Sequence, residues 1–166
     1  MIIGIMSDSH GDADAVRRAV ALLEREGVQA MFHCGDVGGE AVLDELAGHR
    51  AYFVWGNCDD TSLAMRRYAE TLGLTVPASP PLRIELAGKR IAVYHGHERG
   101  FNAAFSDPAI DYLFFGHSHV YEDRRVNKLR AINPGALHRA RVKTVATLDL
   151  TRDALTFLTL DGRPLP

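Results

Sequence analysis

The sequence predicts an α/β fold built from two packed β-sheets with helices outside them, and three features of its 166 residues lead there. The first part of the chain alternates short apolar runs with amphipathic segments in the order β-α-β-α-β, which requires a parallel sheet with right-handed crossovers. The later part reads as strands joined by tight turns. Five of the apolar runs also stop at short polar motifs of metal-ligand type: Asp8-Ser9-His10, Gly35-Asp36, Gly56-Asn57-Cys58-Asp59, His95-Gly96-His97 and Gly116-His117-Ser118-His119.

Ile2 to Ser7 is the first buried strand, a continuous apolar run that ends in a polar loop. Asp12 can cap the helix that follows, because its carboxylate can accept from an otherwise unpaired N–H of the first turn. Val16, Ala19, Val20 and Leu23 recur at i, i+3, i+4 and i+7, so one face of that helix is apolar, and Gly27 closes it. Ala30 to Cys34 is the second strand, Glu40 to Leu46 a second helix ended near Gly48, and Ala51 to Trp55 a third strand. Leu63 to Leu72 reads as helical, after which Pro77, Pro80 and Pro81 break regular structure. Leu82 to Leu86 and Arg90 to Tyr94 flank Ala87-Gly88-Lys89 as a hairpin. A short helix near Phe101 to Phe105 and a strand Tyr112 to Phe115 follow. Glu122 to Val126, Leu129 to Ile132, Val142 to Leu150 and Ala154 to Leu160 then read as a meander. No repeat or linker interrupts the pattern, so residues 1–166 are expected to form a single domain.

Lys and Arg number 19 against 21 Asp and Glu, a net charge of −2 that lacks the basic excess required by long nucleic acids or anionic membranes. No apolar run reaches about 18 residues. Met1-Ile2-Ile3-Gly4-Ile5-Met6 also lacks the basic start and cleavage site of a signal peptide, so a cytoplasmic protein is expected. The two cysteines, Cys34 and Cys58, are too few for a disulfide scaffold, and 46% hydrophobic residues suffice for a core without one.

In open α/β sheets ligands bind beyond the carboxyl ends of the strands, where residues distant in sequence converge. Mixed carboxylate, amide and imidazole donors suit Mn, Fe, Co, Ni or Zn, and an all-oxygen Ca site is disfavoured. Asp8, His10, Asp36, Asn57, His95, His117 and His119 are too many donors for one such ion. Two divalent transition-metal ions fit if Asp36 bridges them, each keeping open positions for water and substrate. Manganese is the first expectation, with Ni, Co, Fe and Zn as the others. Gly35, Gly56, Gly96 and Gly116 are expected to let the backbone turn sharply enough for short side chains to reach an ion.

On these motifs, together with Asn133-Pro134-Gly135 after the histidine pair, the sequence resembles the calcineurin-like metallophosphoesterases, and within them the small single-domain phosphodiesterases of the YfcE type. The resemblance spans nearly the whole chain. It implies a four-layer αββα sandwich, two mixed β-sheets flanked by helices. It places Asp8, His10, Asp36 and His119 on one metal, and Asp36, Asn57, His95 and His117 on the other. It further implies a phosphoesterase in which a metal-bound hydroxide attacks phosphorus in line with the leaving oxygen, and self-association as a homodimer or homotetramer. Many relatives carry Gly-Asn-His-Asp/Glu, whose His assists the leaving group. Here that position is Cys58. Without an imidazole to protonate the departing oxygen, aryl oxides should leave more readily than alkyl oxides, so a small phosphodiester is the expected substrate.

The residues expected to act on substrate are Asp36 and Asn57, with Asp59 and His97 beside them. Asp59 could orient a water, a metal ligand or a substrate hydroxyl, and His97 could contact phosphate or hydrogen-bond to a neighbouring ligand. His33, His49 and His138 lie outside any motif and read as strand or surface histidines, and Cys34 reads as core. Arg124, Arg125, Lys128 and Arg130 form a basic hairpin, either a solvated face or a phosphate-attracting rim. Arg139, Arg141 and Lys143 alternate, as on one face of an edge strand guarded by charge. Three rival classes remain: a non-catalytic metal-binding interaction scaffold on the same fold, a nuclease, and a phosphomonoesterase. The filled ligand positions weigh against the first, the missing basic excess against the second and Cys58 against the third. Neither a membrane nor an extended nucleic acid is an expected partner.

Overall fold

A computed structural model describes residues 1–75 and 79–166 of the chain; Pro77, one of the expected breakers, lies outside the described residues. In chain order the elements of the first half are β1 (Ile2–Met6), α1 (Ala13–Arg25), β2 (Met31–His33), α2 (Glu40–Leu46), β3 (Ala51–Phe53) and α3 (Leu63–Thr71). They are followed by β4 (Leu82–Leu86), β5 (Lys89–Val93), α4 (Phe101–Ala104), β6 (Tyr112–Phe114), β7 (Tyr121–Val126), β8 (Leu129–Pro134), β9 (Thr144–Asp149) and β10 (Ala154–Thr159). Asp12 caps α1 as expected, its Oδ1 accepting from the Ala15 N–H at 3.0 Å.

The strands form two five-stranded mixed sheets, in the orders β10-β9-β1-β2-β3 and β4-β5-β6-β8-β7. Strand alternation assigns each side chain to a layer. Ile3 and Ile5 of β1, Phe32 of β2, Ile91 and Val93 of β5, Phe114 of β6 and Ile132 of β8 form the core between the sheets. The opposite face of the first sheet packs on α1, α2 and α3 through Met6, Val16, Leu23, Val42, Leu43 and Phe53. Ala92, Tyr94, Leu113 and Ala131 on the outer face of the second sheet pack on Ala104 and the residues around α4. The result is the four-layer αββα sandwich. No helix among the described residues is long and apolar enough to cross a membrane.

Two expectations need correction, and one open choice is decided. The last four strands are not one meander: β7 and β8 form a hairpin in the second sheet, whereas β9 crosses to pair antiparallel with β1 and then with β10. Hydrophobic alternation reports that a strand is half-buried but not which sheet buries it, so the pattern could not reveal this crossing. Arg139, Arg141 and Lys143 lie in the loop between β8 and β9 rather than on a strand. Lys143 donates to the helix-capping carboxylate of Asp12 at 2.6 Å. Finally, the basic hairpin turns at Asn127 and Lys128, the end of the sheet remote from the polar strand ends, because Arg130 opens β8 opposite Tyr112 at the start of β6.

Arg130 has a structural duty there. It is 7% exposed, and its guanidinium makes a two-pronged contact with Asp123 at 2.8 Å and a further bond to Asp153 at 2.6 Å. Hydrogen bonding to Asp123 raises its pKa beyond the ordinary arginine value, and Asp153 is pulled down to about 2 against the opposing effect of its own burial. Removing one member of such a cluster strands the others. Arg130→Ala should therefore cost about 2–3 kcal/mol in urea denaturation of the metal-free protein, less than at a fully enclosed pair because both carboxylates keep some contact with water. A loss below about 0.5 kcal/mol would contradict this structural role.

Candidate metal centre

β1, β2 and β3 run parallel to one another, as do β5, β6 and β8. Their carboxyl ends open onto one cleft. The sheets are tied together at this end by backbone groups: the His117 N–H donates to Asp8 Oδ2 at 3.1 Å, and the Leu137 N–H to the Ser7 carbonyl at 3.0 Å. His95 Nδ1 lies 2.8 Å from the Cys34 carbonyl, which can only accept. That bond fixes the proton on Nδ1 and turns Nε2 into the cleft as an electron-pair donor.

The loops that carry the donors are held in an unusual backbone state. Asp8, His10, Asp36, His117 and His119 all have left-handed φ, at 53°, 45°, 51°, 68° and 60°. Each such residue costs about 1–3 kcal/mol and persists only where its surroundings enforce it, so five of the seven expected ligands are strained into place. The expectation about the glycines holds only in part. Gly35 does adopt a left-handed φ of 95°. Gly56 and Gly116 are required instead for room: a Cβ on Gly56 would lie 2.1 Å from Asp36 Oδ1, and one on Gly116 would lie 1.9 Å from Ser7 Oγ.

The seven expected donors form two groups that meet at Asp36. In the first, ligand atoms of Asp8, His10, Asp36 and His119 all lie within 4.8 Å of one another. His10 Nε2 is 3.2 Å from His119 Nε2 and 3.5 Å from Asp36 Oδ2, and His119 Nε2 is 3.2 Å from Asp8 Oδ1. In the second, His95 Nε2 is 3.4 Å from Asp36 Oδ2, 3.1 Å from Asn57 Oδ1 and 3.3 Å from His117 Nδ1. With the His95 proton on Nδ1, its Nε2 lone pair faces oxygens that also only accept. Such a crowd of lone pairs in a half-buried cleft is repulsive by itself and is the donor set that a transition-metal cation satisfies.

Electrostatics favour the ligating protonation states of His10 and Asp36, but work against that of Asp8. Burial lowers the pKa of His10 against the pull of Asp36 and Asp8, so its imidazole is neutral near pH 7. Burial would raise Asp36, but the Cys58 N–H, His95 and His10 outweigh it and keep the carboxylate ionised. Asp8 is shifted upward by burial, which His95 and His119 offset only in part.

Asp59 and His97 are brought to the rim of this cluster. Both Asp59 oxygens accept backbone N–H groups, from Gly38 at 2.7 Å, Gly56 at 2.7 Å and Val37 at 3.1 Å. Asp59 thereby fastens the loop of Asp36 to the loop of Asn57. The His97 ring lies 5.4 Å from His95 and 6.2 Å from His117, centroid to centroid. Cys58 is exposed, and its N–H donates to Asp36 Oδ1 at 2.9 Å.

Sequence reasoning missed two fasteners of the same kind. Glu98 accepts from the backbone N–H groups of His95 at 2.8 Å and Gly96 at 2.7 Å, a role signalled only by an acid three residues after His95. Asn133 donates to the Gly116 carbonyl at 2.8 Å while its Oδ1 accepts from Gly135, which gives the Asn-Pro-Gly motif its function. His33 and Cys34 are buried as core, and His138 sits nearer the centre than expected, its ring 5.9 Å from that of His10.

The family model described as the calcineurin-like phosphoesterase superfamily domain matches residues 1–153. The chain belongs to that superfamily of metal-dependent phosphoesterases. A phosphodiesterase of Methanocaldococcus jannaschii is 25% identical over 154 residues, covering 90% of this chain and 93% of its own. A probable metallophosphoesterase of Bacillus subtilis is 30% identical over 166 residues, covering 94% and 88%. The solved structure of an archaeal phosphodiesterase superposes with a TM-score of 0.86 at 23% identity, covering 96% of this chain and 99% of that one.

Beneath the centre, His33 is 1% exposed, with its Nε2 2.8 Å from Ser9 Oγ, which in turn donates to the Val37 carbonyl. Burial lowers its pKa to about 3. The unfolded chain takes up a proton at this residue below about pH 6.5, whereas the folded chain does not until about pH 3, so stability falls with pH across that window. For metal-free protein, the loss between pH 6.5 and 4.5 should be roughly 2 kcal/mol larger in the wild type than in His33→Gln, whose amide does not titrate. Equal losses in the two proteins would show that His33 is not held neutral.

Proposed function

We propose that this chain hydrolyses a phosphodiester with two divalent transition-metal ions that share Asp36. The observation that carries this reading is the placement of Asp36 Oδ2, 3.5 Å from His10 Nε2 and 3.4 Å from His95 Nε2, so that one carboxylate oxygen belongs to both donor groups. Asp8, His10 and His119 would complete one site, and Asn57, His95 and His117 the other. Manganese suits this mixture of oxygen and imidazole donors, as do Ni, Co, Fe and Zn. When bound, such a pair lowers the pKa of water towards about 7 and neutralises charge on a phosphoryl group.

The chain's own groups set the rest of the chemistry. Asp36 Oδ1 is occupied by the Cys58 N–H, which leaves Oδ2 to face both sites. Asp59 and Glu98 act as positioning residues through the loop N–H groups they hold. His97, at the rim, is within reach of a phosphate oxygen on the side of the second group. In-line attack sends the leaving oxygen away from the nucleophile, and the residue where many relatives offer an imidazole is Cys58. Its partly desolvated thiol, beside Asp36, is held above the ordinary cysteine pKa and stays neutral near pH 7. A neutral thiol is a poor acid for an alkyl oxide, so activated diesters are the better substrates. The archaeal relative named as a phosphodiesterase supports the same choice.

Hydrolysis of bis(p-nitrophenyl) phosphate should vanish after exhaustive chelation and return best with Mn, Ni or Co, and less with Mg. Persistent activity in protein shown by elemental analysis to be metal-free would sink the proposal.

Replacing Cys58→His should raise phosphomonoesterase activity relative to aryl diesterase activity, because a well-placed general acid is worth about 10²–10⁴-fold. Cys58→Ser should leave aryl diester hydrolysis within roughly tenfold of the parent. A large loss in Cys58→Ser with metals still bound would mean that the thiol itself takes part.

A further inference from the structure

Beside the second donor group lies a groove of about 220 Å³ lined by Trp55, Gly56, Thr61, Arg66, Pro80 and His97. It adjoins the centre through Gly56 and His97. Gly56 directly precedes Asn57, and the His97 ring that forms one wall is 5.4 Å from the His95 ring. A phosphoryl group held by the donor cluster would therefore direct one of its ester arms here.

The groove is shaped and chemically suited for a flat ring. Trp55 is fixed by Phe53, the two rings lying edge to face at 4.8 Å and 88°, so its indole is preorganised rather than free to swing. Its indole N–H is closed off from water without an acceptor among the described residues. A donor left in that state is a cost that packing alone does not explain. Arg66, whose Nε donates to the Thr61 carbonyl at 3.1 Å, adds a guanidinium close to the same wall. Aromatic and guanidinium surfaces together recognise π-systems. Drug-sized ligands need about 300–1,000 Å³, so a groove of about 220 Å³ takes one ring and not a polymer.

We propose that this groove seats a planar aromatic ring carried by the phosphate ester, a nucleobase or a phenol, and that Trp55 selects for it. The proposal rests on the reading of the donor cluster as a phosphoester site, and it narrows the substrate class to esters with an aromatic arm.

Trp55 is the single tryptophan of the chain, so the emission of the unmodified protein reports on the groove alone. Zinc-loaded protein would be titrated with AMP, phenyl phosphate, ribose 5-phosphate and inorganic phosphate, with fluorescence and calorimetry read together. The ring-bearing phosphates should alter Trp55 emission saturably and bind about tenfold more tightly than ribose 5-phosphate. A preference for AMP alone assigns a nucleobase, and one for phenyl phosphate alone assigns a phenol. By calorimetry, Trp55→Leu should abolish the advantage and Trp55→Phe should keep most of it. Equal affinity for ringed and ringless phosphates in the wild type overturns the proposal, and that comparison decides even if Trp55→Leu fails to fold. So does an advantage that survives in folded Trp55→Leu. If no phosphate binds at all, the phosphoester reading is what has failed. Adenosine then probes the groove by itself, and an unchanged Trp55 emission rejects the ring site as well.

Discussion

The Asp36 carboxylate sits where the two sheets meet, one oxygen holding the Cys58 N–H and the other facing both His10 and His95. Everything else in the cleft depends on its being held there. His10 belongs to the loop after β1 and His95 to the loop after β5, so the two imidazoles approach one oxygen only because the sheets are stacked with their carboxyl ends aligned. The His95 bond to the Cys34 carbonyl secures that alignment across the interface and at the same time aims Nε2 at Asp36. Packing of the central core thus sets the geometry of the proposed metal site without any intermediary.

The donors stand on loops rather than on regular elements, and loops are ordinarily poor platforms for precise geometry. This cleft compensates with side chains that satisfy loop backbone. Asp59 collects three N–H groups from two loops, Glu98 collects two, and Asn133 bonds the loop of His117 and His119 through the Gly116 carbonyl. These contacts help to offset the left-handed φ values of the ligands. They also explain why bulk at Gly56 and Gly116 is forbidden even though neither has a left-handed φ: the Asp36 carboxylate and Ser7 already fill the space.

Much of this was legible in the sequence. The β-α-β-α-β rhythm, the Asp12 cap and the five polar strand ends gave the parallel part of the first sheet and pointed to the seven polar side chains that the fold gathers at its strand ends, because hydrophobic period and strand-end chemistry are local properties. The exchange of β9 into the first sheet was not legible, since a half-buried strand carries no label for its partner. The alternating Arg139, Arg141 and Lys143 resembled a strand face, but a period of two over five residues is also what a polar loop can present. The basic hairpin was open to two readings, a solvated face or a phosphate rim, because proximity in sequence to Gly116-His117-Ser118-His119 does not say whether the two are close in space. β7 carries its turn the length of the sheet away, and Arg130 closes an ion cluster there instead. Asp59 stood in the right motif, yet its work on three backbone N–H groups could only be seen in the fold.

The central claim is that Asp36 joins two metal sites. Anomalous diffraction from crystals of manganese-loaded protein, collected on both sides of the Mn edge, tests it most directly. The account predicts two peaks in the cleft, one against His10 and His119 and one against His95 and His117, both in contact with the Asp36 carboxylate. A single peak in fully loaded protein, or two peaks of which only one touches Asp36, would contradict it.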